Sequence, residues 1–275
     1  MFPKPRNGGQ IRRYLECAVF VLAWKAGGSL FQLGGTGYLL LGVPLVVIFQ
    51  LLVVRRPLHQ LWVREAKPFR LDWRVLAIAS ALVVVPTWVF FCRVRPYGMM
   101  FLVISAGVVT CAFALRHQRV EKLLGALPSV GTAVVIGCAV FASFAIWRTG
   151  DERSAGVPFS RLPLLFADFY CMTLAGFVVE EVVFRGAIDS HLASSESTRL
   201  ENWMSAAFVS ILWGLWHLPL RFLYPSRSLG FIALALVINV LFGIPLSFCW
   251  RKSGTLVLPS AVHALCDAYR NVLSL

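Results

Sequence analysis

Six ionisable side chains sit where their neighbours are apolar. They are Glu180, Glu181 and Arg185 in LAGFVVEEVVFRGAI (174–188), His217 in FVSILWGLWHLPL (208–220), and His263 and Asp267 in SGTLVLPSAVHALCDA (253–268). A carboxylate or imidazole removed from water is costly unless it is paired, neutralised or used. Two glutamates, two histidines and an aspartate on three apolar segments are a set suited to activating water, with or without a metal ion. Helix bundles build such sites by projecting side chains from facing helices.

The spacing divides the work. On an α-helix, Glu181 and Arg185 stand at i, i+4 with the acid N-terminal to the base, the favourable order for an ion pair. Arg185 is therefore expected to neutralise Glu181 and brace the helix end. Glu180 is rotated about 100° away and must face another polar group, a cavity or water, which makes it the sharper catalytic candidate. His263 and Asp267 also share a helix face. An aspartate accepting from one ring nitrogen would fix the tautomer and leave the other nitrogen for chemistry; a structural His–Asp hydrogen bond is the alternative. His217 follows Trp213 by one turn and precedes Pro219, which disturbs a helix; taken alone, it reads as a hydrogen-bonded core or interface residue. Asp168 is expected to be a polar contact in the bundle, and Asp189 and His191 to be loop residues.

The elements that carry these residues are membrane-like. The 275 residues are 58% hydrophobic and 14% charged, with a net charge of +13. Soluble domains are about a quarter charged, so the expected fold is all-α, a polytopic transmembrane bundle of about eight helices. Spans are expected near 30–54, 75–92, 97–115, 128–147, 161–184, 203–220, 229–249 and 255–273. Residues 14–28 form either an interfacial helix or one arm of a short hairpin with 37–54. The basic residues cluster in short loops: Arg55, Arg56, Arg64, Lys67, Arg70 and Arg74, then Arg116, Arg119 and Lys122. That pattern fits cytoplasmic loops and anionic headgroups rather than nucleic acid. The N-terminus MFPKPRNGGQIRRY reads as a retained basic arm, not a signal peptide. The seven cysteines lie in or beside apolar runs without a CxxC pair and read as small core residues. No internal repeat is evident. Residues 1–150 are expected to hold the arm and accessory helices, and 151–275 the catalytic core.

EEVVFR (180–185), WGLWH (213–217) and HALCD (263–267), the last preceded by WRKSGTLVLPSAV, resemble in order and spacing the EExxxR, aromatic-xxx-His and HxxxD/N motifs of the CPBP family. These are the CAAX-prenyl-protease and bacteriocin-processing intramembrane endopeptidases, also called the Abi family. The resemblance covers about residues 160–275. It implies a multi-pass protein, in a bacterial-type inner membrane, with its site open to the cytoplasm. It also implies cleavage of a membrane-associated or lipidated, CAAX-like protein or peptide precursor near its end. Glu180 would be the base, His217 would position water, and His263 and Asp267 would stabilise the oxyanion or orient the site. Glu181, Arg185 and Trp213 would support them. Some members carry Asn at the position of Asp267. Asn can donate to an oxyanion and ionised Asp cannot, so Asp267 is protonated, orients His263 or helps bind a metal. A zinc ion could take Glu180, His217 and His263, but HExxH is missing and a metal-free glutamate mechanism is preferred. A proton-coupled carrier and a non-catalytic scaffold of the same fold are the alternatives.

Overall fold

In a computed structural model, described over residues 7–65, 67–70, 72–81, 98–149, 157–165, 180–193, 197–222 and 229–273, the chain is all-helical. Among these residues the extended pairing is one isolated antiparallel bridge, Val63 to Thr255. In chain order the main helices are α1 Asn7–Leu30, α2 Gly35–Ile48 running on as a π-helix Phe49–Val54, α3 Gly98–Arg116 and α4 Val120–Thr149. They continue with a second π-helix Val182–Asp189, α5 Arg199–Phe222, α6 Leu229–Ser253 and α7 Val257–Leu273.

The expected spans at 97–115, 203–220, 229–249 and 255–273 coincide with α3, α5, α6 and α7. Among the described residues two helices, Gly37–Val54 and Val120–Ser143, are long and apolar enough to cross a membrane. Most of 75–92 and 161–184, including Asp168, lies outside the described residues. Among the described cysteines Cys17, Cys111, Cys249 and Cys266 are buried.

The chain forms two compact units. The first takes Met1–Leu61 and Val183–Ile244, the second Trp62–Val182 and Pro245–Leu275.

In the first unit α1 packs on α2 as a helical hairpin and also on α5. Its centre is aromatic. Trp24 Nε1 donates to the Tyr38 carbonyl at 2.7 Å, and Tyr38 Oη donates to the Trp216 carbonyl at 3.0 Å. The Trp216 ring lies 5.1 Å from Trp24 and is stacked on Tyr38 at 5.4 Å. Each such ring pair is worth about 0.5–1.5 kcal/mol beyond its buried area. α5 begins with a capping box: Glu201 N donates to Thr198 Oγ1 at 3.2 Å, and Thr198 N donates to Glu201 Oε2 at 2.7 Å. That reciprocal pair satisfies two otherwise orphaned donors. The opposite side of α1 shows a stripe of exposed Ile11, Leu15, Val19 and Leu22, spaced at helical intervals. Asp189 and His191, expected in a loop, are instead helical: Asp189 is fully buried and His191 Nε2 lies 2.8 Å from Glu16 Oε2. The helix simply runs further than the apolar pattern suggested, because π-winding carries it through Asp189 and a last α-turn follows.

In the second unit α7 packs along α4, with α3 also touching it. The start of α7 is pinned from outside the helix. Arg64 N donates to the Gly254 carbonyl at 2.9 Å and Leu256 N to the Trp62 carbonyl at 3.1 Å. Arg64 also reaches the Arg251 carbonyl at 3.2 Å. Glu65, next along, accepts from Lys122 and lies 3.3 Å from Lys67 and 3.7 Å from Arg119. Gly254 ends α6 at φ 74°, the left-handed cap that glycine adopts without strain. The sequence punctuation Ser253-Gly254 therefore separates α6 from α7. At the far end Arg161 holds the Val272 carbonyl at 3.2 Å.

Candidate active site

The first part of the site is a cluster in the second unit. Glu180 and Glu181 open the second π-helical run, and His263 and Asp267 lie one turn apart on α7. His263 Nδ1 sits 2.9 Å from Glu181 Oε1. Its Nε2 lies 3.5 Å from Asp267 Oδ2 and 3.9 Å from Glu180 Oε2. Three carboxylates thus converge on one imidazole. Their protons belong to the set rather than to single residues.

Exposure separates the two glutamates. The Glu181 side chain is 0% exposed and the Glu180 side chain 18%. Glu181 is a buried hydrogen-bond partner that orients the ring. Glu180 stands at the accessible edge, too far from Nε2 for a direct hydrogen bond. A water hydrogen-bonded to both groups would sit beside the contact, not between them.

Sequence spacing assigned the tautomer-fixing carboxylate to Asp267. The structure gives hydrogen-bond length to Glu181 instead, because Asp267 is drawn the other way: its Oδ1 accepts from Arg270 at 2.9 Å. That contact is charge-assisted and occupies the second carboxylate oxygen of Asp267. Arg270 also lies 5.5 Å from the Phe141 ring. The sequence reading missed Arg270; its i+3 spacing from Asp267 was the available signal. Ser260, one turn before His263 on the same face, was missed too. Its hydroxyl is buried with no hydrogen-bond partner among the described residues.

The remaining expected residues form a cluster of their own in the first unit. His217 Nδ1 lies 2.9 Å from the Trp213 carbonyl. A carbonyl only accepts, so Nδ1 carries the proton and Nε2 is the acceptor of the neutral ring. The ring is flanked edge-on by Trp213 at 5.3 Å and Trp216 at 4.8 Å. Arg185 is fully buried, lies 4.8 Å from the Trp213 ring and donates to the Gly243 carbonyl at 3.2 Å. Gly186 must be glycine, since a Cβ there would come within 2.2 Å of the Leu61 carbonyl oxygen. From Val182 through Arg185 the motif is wound as a π-helix where the spacing argument assumed an α-helix. Its turns are therefore one residue wider, a rare geometry that recurs at functional sites.

Among the described residues no group of three or more His, Cys, Asp or Glu side chains could hold a metal ion.

A family model described as type II CAAX prenyl endopeptidase Rce1-like matches residues 162–269. That segment carries all three motifs, and over it the chain is similar to the CAAX prenyl endopeptidases whose motifs the sequence resembles. This is a family of membrane-embedded proteases. No curated protein and no solved structure matches the chain.

Proposed function

We propose that the chain is a multi-pass intramembrane endopeptidase that cleaves a membrane-associated or lipidated, CAAX-like protein or peptide precursor near its end. The observation that carries this reading is the convergence of Glu180, Glu181 and Asp267 on His263, inside the segment matched by the family model. In the proposed reaction Glu180 takes a proton from a water held against His263, and the water oxygen attacks the peptide carbonyl carbon. A ring N–H of His263 stabilises the oxyanion. Glu180 then returns its proton to the amine nitrogen as the C–N bond breaks. Asp267, paired with Arg270, orients His263. Glu181 braces the ring. His217 enters by its motif, as the residue that positions water through Nε2, with Trp213 and Arg185 supporting it. A water at Ser260 would satisfy that buried hydroxyl.

A bundle of about eight membrane-spanning helices in a bacterial-type inner membrane, with the site toward the cytoplasm, fits this chemistry. The exposed apolar stripe of α1 and the two long apolar helices support it. The catalysis needs no metal on this reading. The carrier alternative is not favoured.

The test compares membranes carrying wild type with membranes carrying Glu180→Ala at matched expression, by mapping new peptide termini with mass spectrometry. Termini that vanish with the substitution name the substrate. Identical maps, in membranes that contain a lipidated CAAX-type substrate, reject the protease reading. Retained activity after chelation, with none gained on adding zinc, supports the metal-free mechanism; loss restored by zinc overturns it.

A further inference from the structure

The apolar helix Gly37–Val54 ends in an unusual way. Its last six residues, Phe49–Val54, are π-helical, and the residue that caps it, Arg55, has φ 58°. That left-handed conformation is uncommon for a residue with a side chain and costs of order 1 kcal/mol. Glycine or asparagine would stop the helix more cheaply. Beside this cap a cleft of about 530 Å³ is lined by Leu51, Leu52, Arg55, Arg56 and Pro57.

The lining has two chemistries. Leu51 is 46% exposed and Leu52 68%, on a helix whose apolar length suits a bilayer. Arg55 and Arg56 supply two guanidinium groups at the helix end. Arg55 Nε reaches only the Leu52 carbonyl, at 3.5 Å, and Arg56 donates to the Ser190 carbonyl at 3.1 Å. Among the described residues neither has a carboxylate partner. Burial, then the neighbouring cation Arg13, pull the Arg56 guanidinium below its ordinary range. Two cations placed side by side without an acid are a receptor for an anion. Aliphatic side chains in the same cleft make that anion amphiphilic.

We propose that this cleft binds the headgroup of an anionic phospholipid. Arg55 and Arg56 grip the phosphodiester, and the acyl chains run along Leu51 and Leu52. The strained cap is then explained as the turn that aims Arg55 at the headgroup. This inference rests on Gly37–Val54 lying in the bilayer and is independent of the protease chemistry, so its test reads lipid binding and not activity.

The experiment uses the full chain in mixed phosphatidylcholine–phosphatidylglycerol nanodiscs, with native mass spectrometry counting the lipids retained. Wild type is expected to retain phosphatidylglycerol preferentially. Arg55→Gln with Arg56→Gln is expected to cut that preference about 5- to 30-fold. Arg55→Lys with Arg56→Lys should keep most of it, and Arg116→Gln, an exposed cation elsewhere, should keep all of it. Undiminished retention in the glutamine double variant, or an equal loss with Arg116→Gln, overturns the proposal. A second measurement needs no variant. Modification of Arg55 and Arg56 by phenylglyoxal should be slowed by phosphatidylglycerol vesicles and not by phosphatidylcholine vesicles. Equal protection by inorganic phosphate would make the ligand a soluble anion and overturn the lipid assignment.

Discussion

The two histidines of the candidate site are held by opposite means. His263 is held by charge: Glu181 at 2.9 Å on one nitrogen, Asp267 and Glu180 at 3.5 and 3.9 Å from the other. His217 is held without charge, by the Trp213 carbonyl and two indole edges. A ring ringed by carboxylates can gain, lose and share protons. A ring fixed by a carbonyl and aromatic edges stays in one tautomer and keeps its orientation. The difference separates a charged ring environment from an uncharged one. Charge-neutralising substitutions should damage the first far more than the second.

The largest effect is expected at Glu180. Glu180→Gln keeps the shape and removes the base, so turnover should fall about 10²- to 10⁴-fold while the melting temperature holds. Activity of the purified chain on a prenylated CAAX-type peptide, beside a thermal unfolding curve, checks both. A loss below tenfold would move the base elsewhere. Glu181→Ala comes next and should differ in kind. It strips a buried partner from His263, costing about 1–3 kcal/mol of stability together with activity. Glu181→Gln, which keeps an acceptor, should recover most of the stability. If both Glu181 variants melt like wild type, Glu181 is not the ring's structural partner.

Arg270 sharpens the contrast from within the charged half. It meets Asp267 at 2.9 Å and is itself half-exposed. Arg270→Gln should lower activity about tenfold by loosening Asp267 and should shift the pH profile of the reaction, with Arg270→Lys restoring much of it. An unchanged pH profile would leave Arg270 only a surface role.

Much of this was legible in the sequence, for stated reasons. Expensive charges in apolar runs mark Glu180, Glu181, His263 and Asp267, and the structure brings these four together. Helical spacing marks α3, α5, α6 and α7. What spacing could not give was the winding. A π-helix begins at Val182, which no local pattern announces, and the contact of Glu181 with His263 on α7 joins residues 82 positions apart. Asp189 was misread because apolar periodicity fades before the helix does. Arg270 was overlooked because it follows the motif and looks like a surface cation. The role of α1 and α2 was invisible, since the bonds from Trp24 and Tyr38 join residues far apart in sequence: Tyr38 meets Trp216 across 178 positions.

That last bond is the test of the uncharged half. Tyr38→Phe removes the hydroxyl that donates to the Trp216 carbonyl, beside His217, and keeps the stacked ring. The expected loss is about 1 kcal/mol of stability with turnover per folded molecule nearly unchanged, read from paired unfolding and activity measurements. A loss of turnover without a loss of stability would show that His217 is tuned through its backbone.

The smallest effect should come from Glu65, which lies outside both histidine environments and ties the start of α4 to the segment whose backbone pins α7. The hydrogen bond from Lys122 outweighs the raising effect of partial burial and, with Lys67 and Arg119, holds the Glu65 carboxyl at about 2, against an ordinary value of 4.5. A carboxyl depressed on folding stabilises the fold above its unfolded value. The contribution is therefore present above pH 4.5 and is lost as pH falls from there toward 2. Glu65 is more than a third exposed, so solvent screening reduces the contribution to about 0.5–1 kcal/mol. Glu65→Gln should accordingly lower the melting temperature slightly at pH 7 and in low salt, and the gap to wild type should close near pH 2 or in high salt. A gap that persists at low pH would mean that residues 62–65 hold α7 through their backbone bonds to Gly254 and Leu256 and not through charge. The electrostatic contribution to α7 would then be confined to the carboxylates that meet His263.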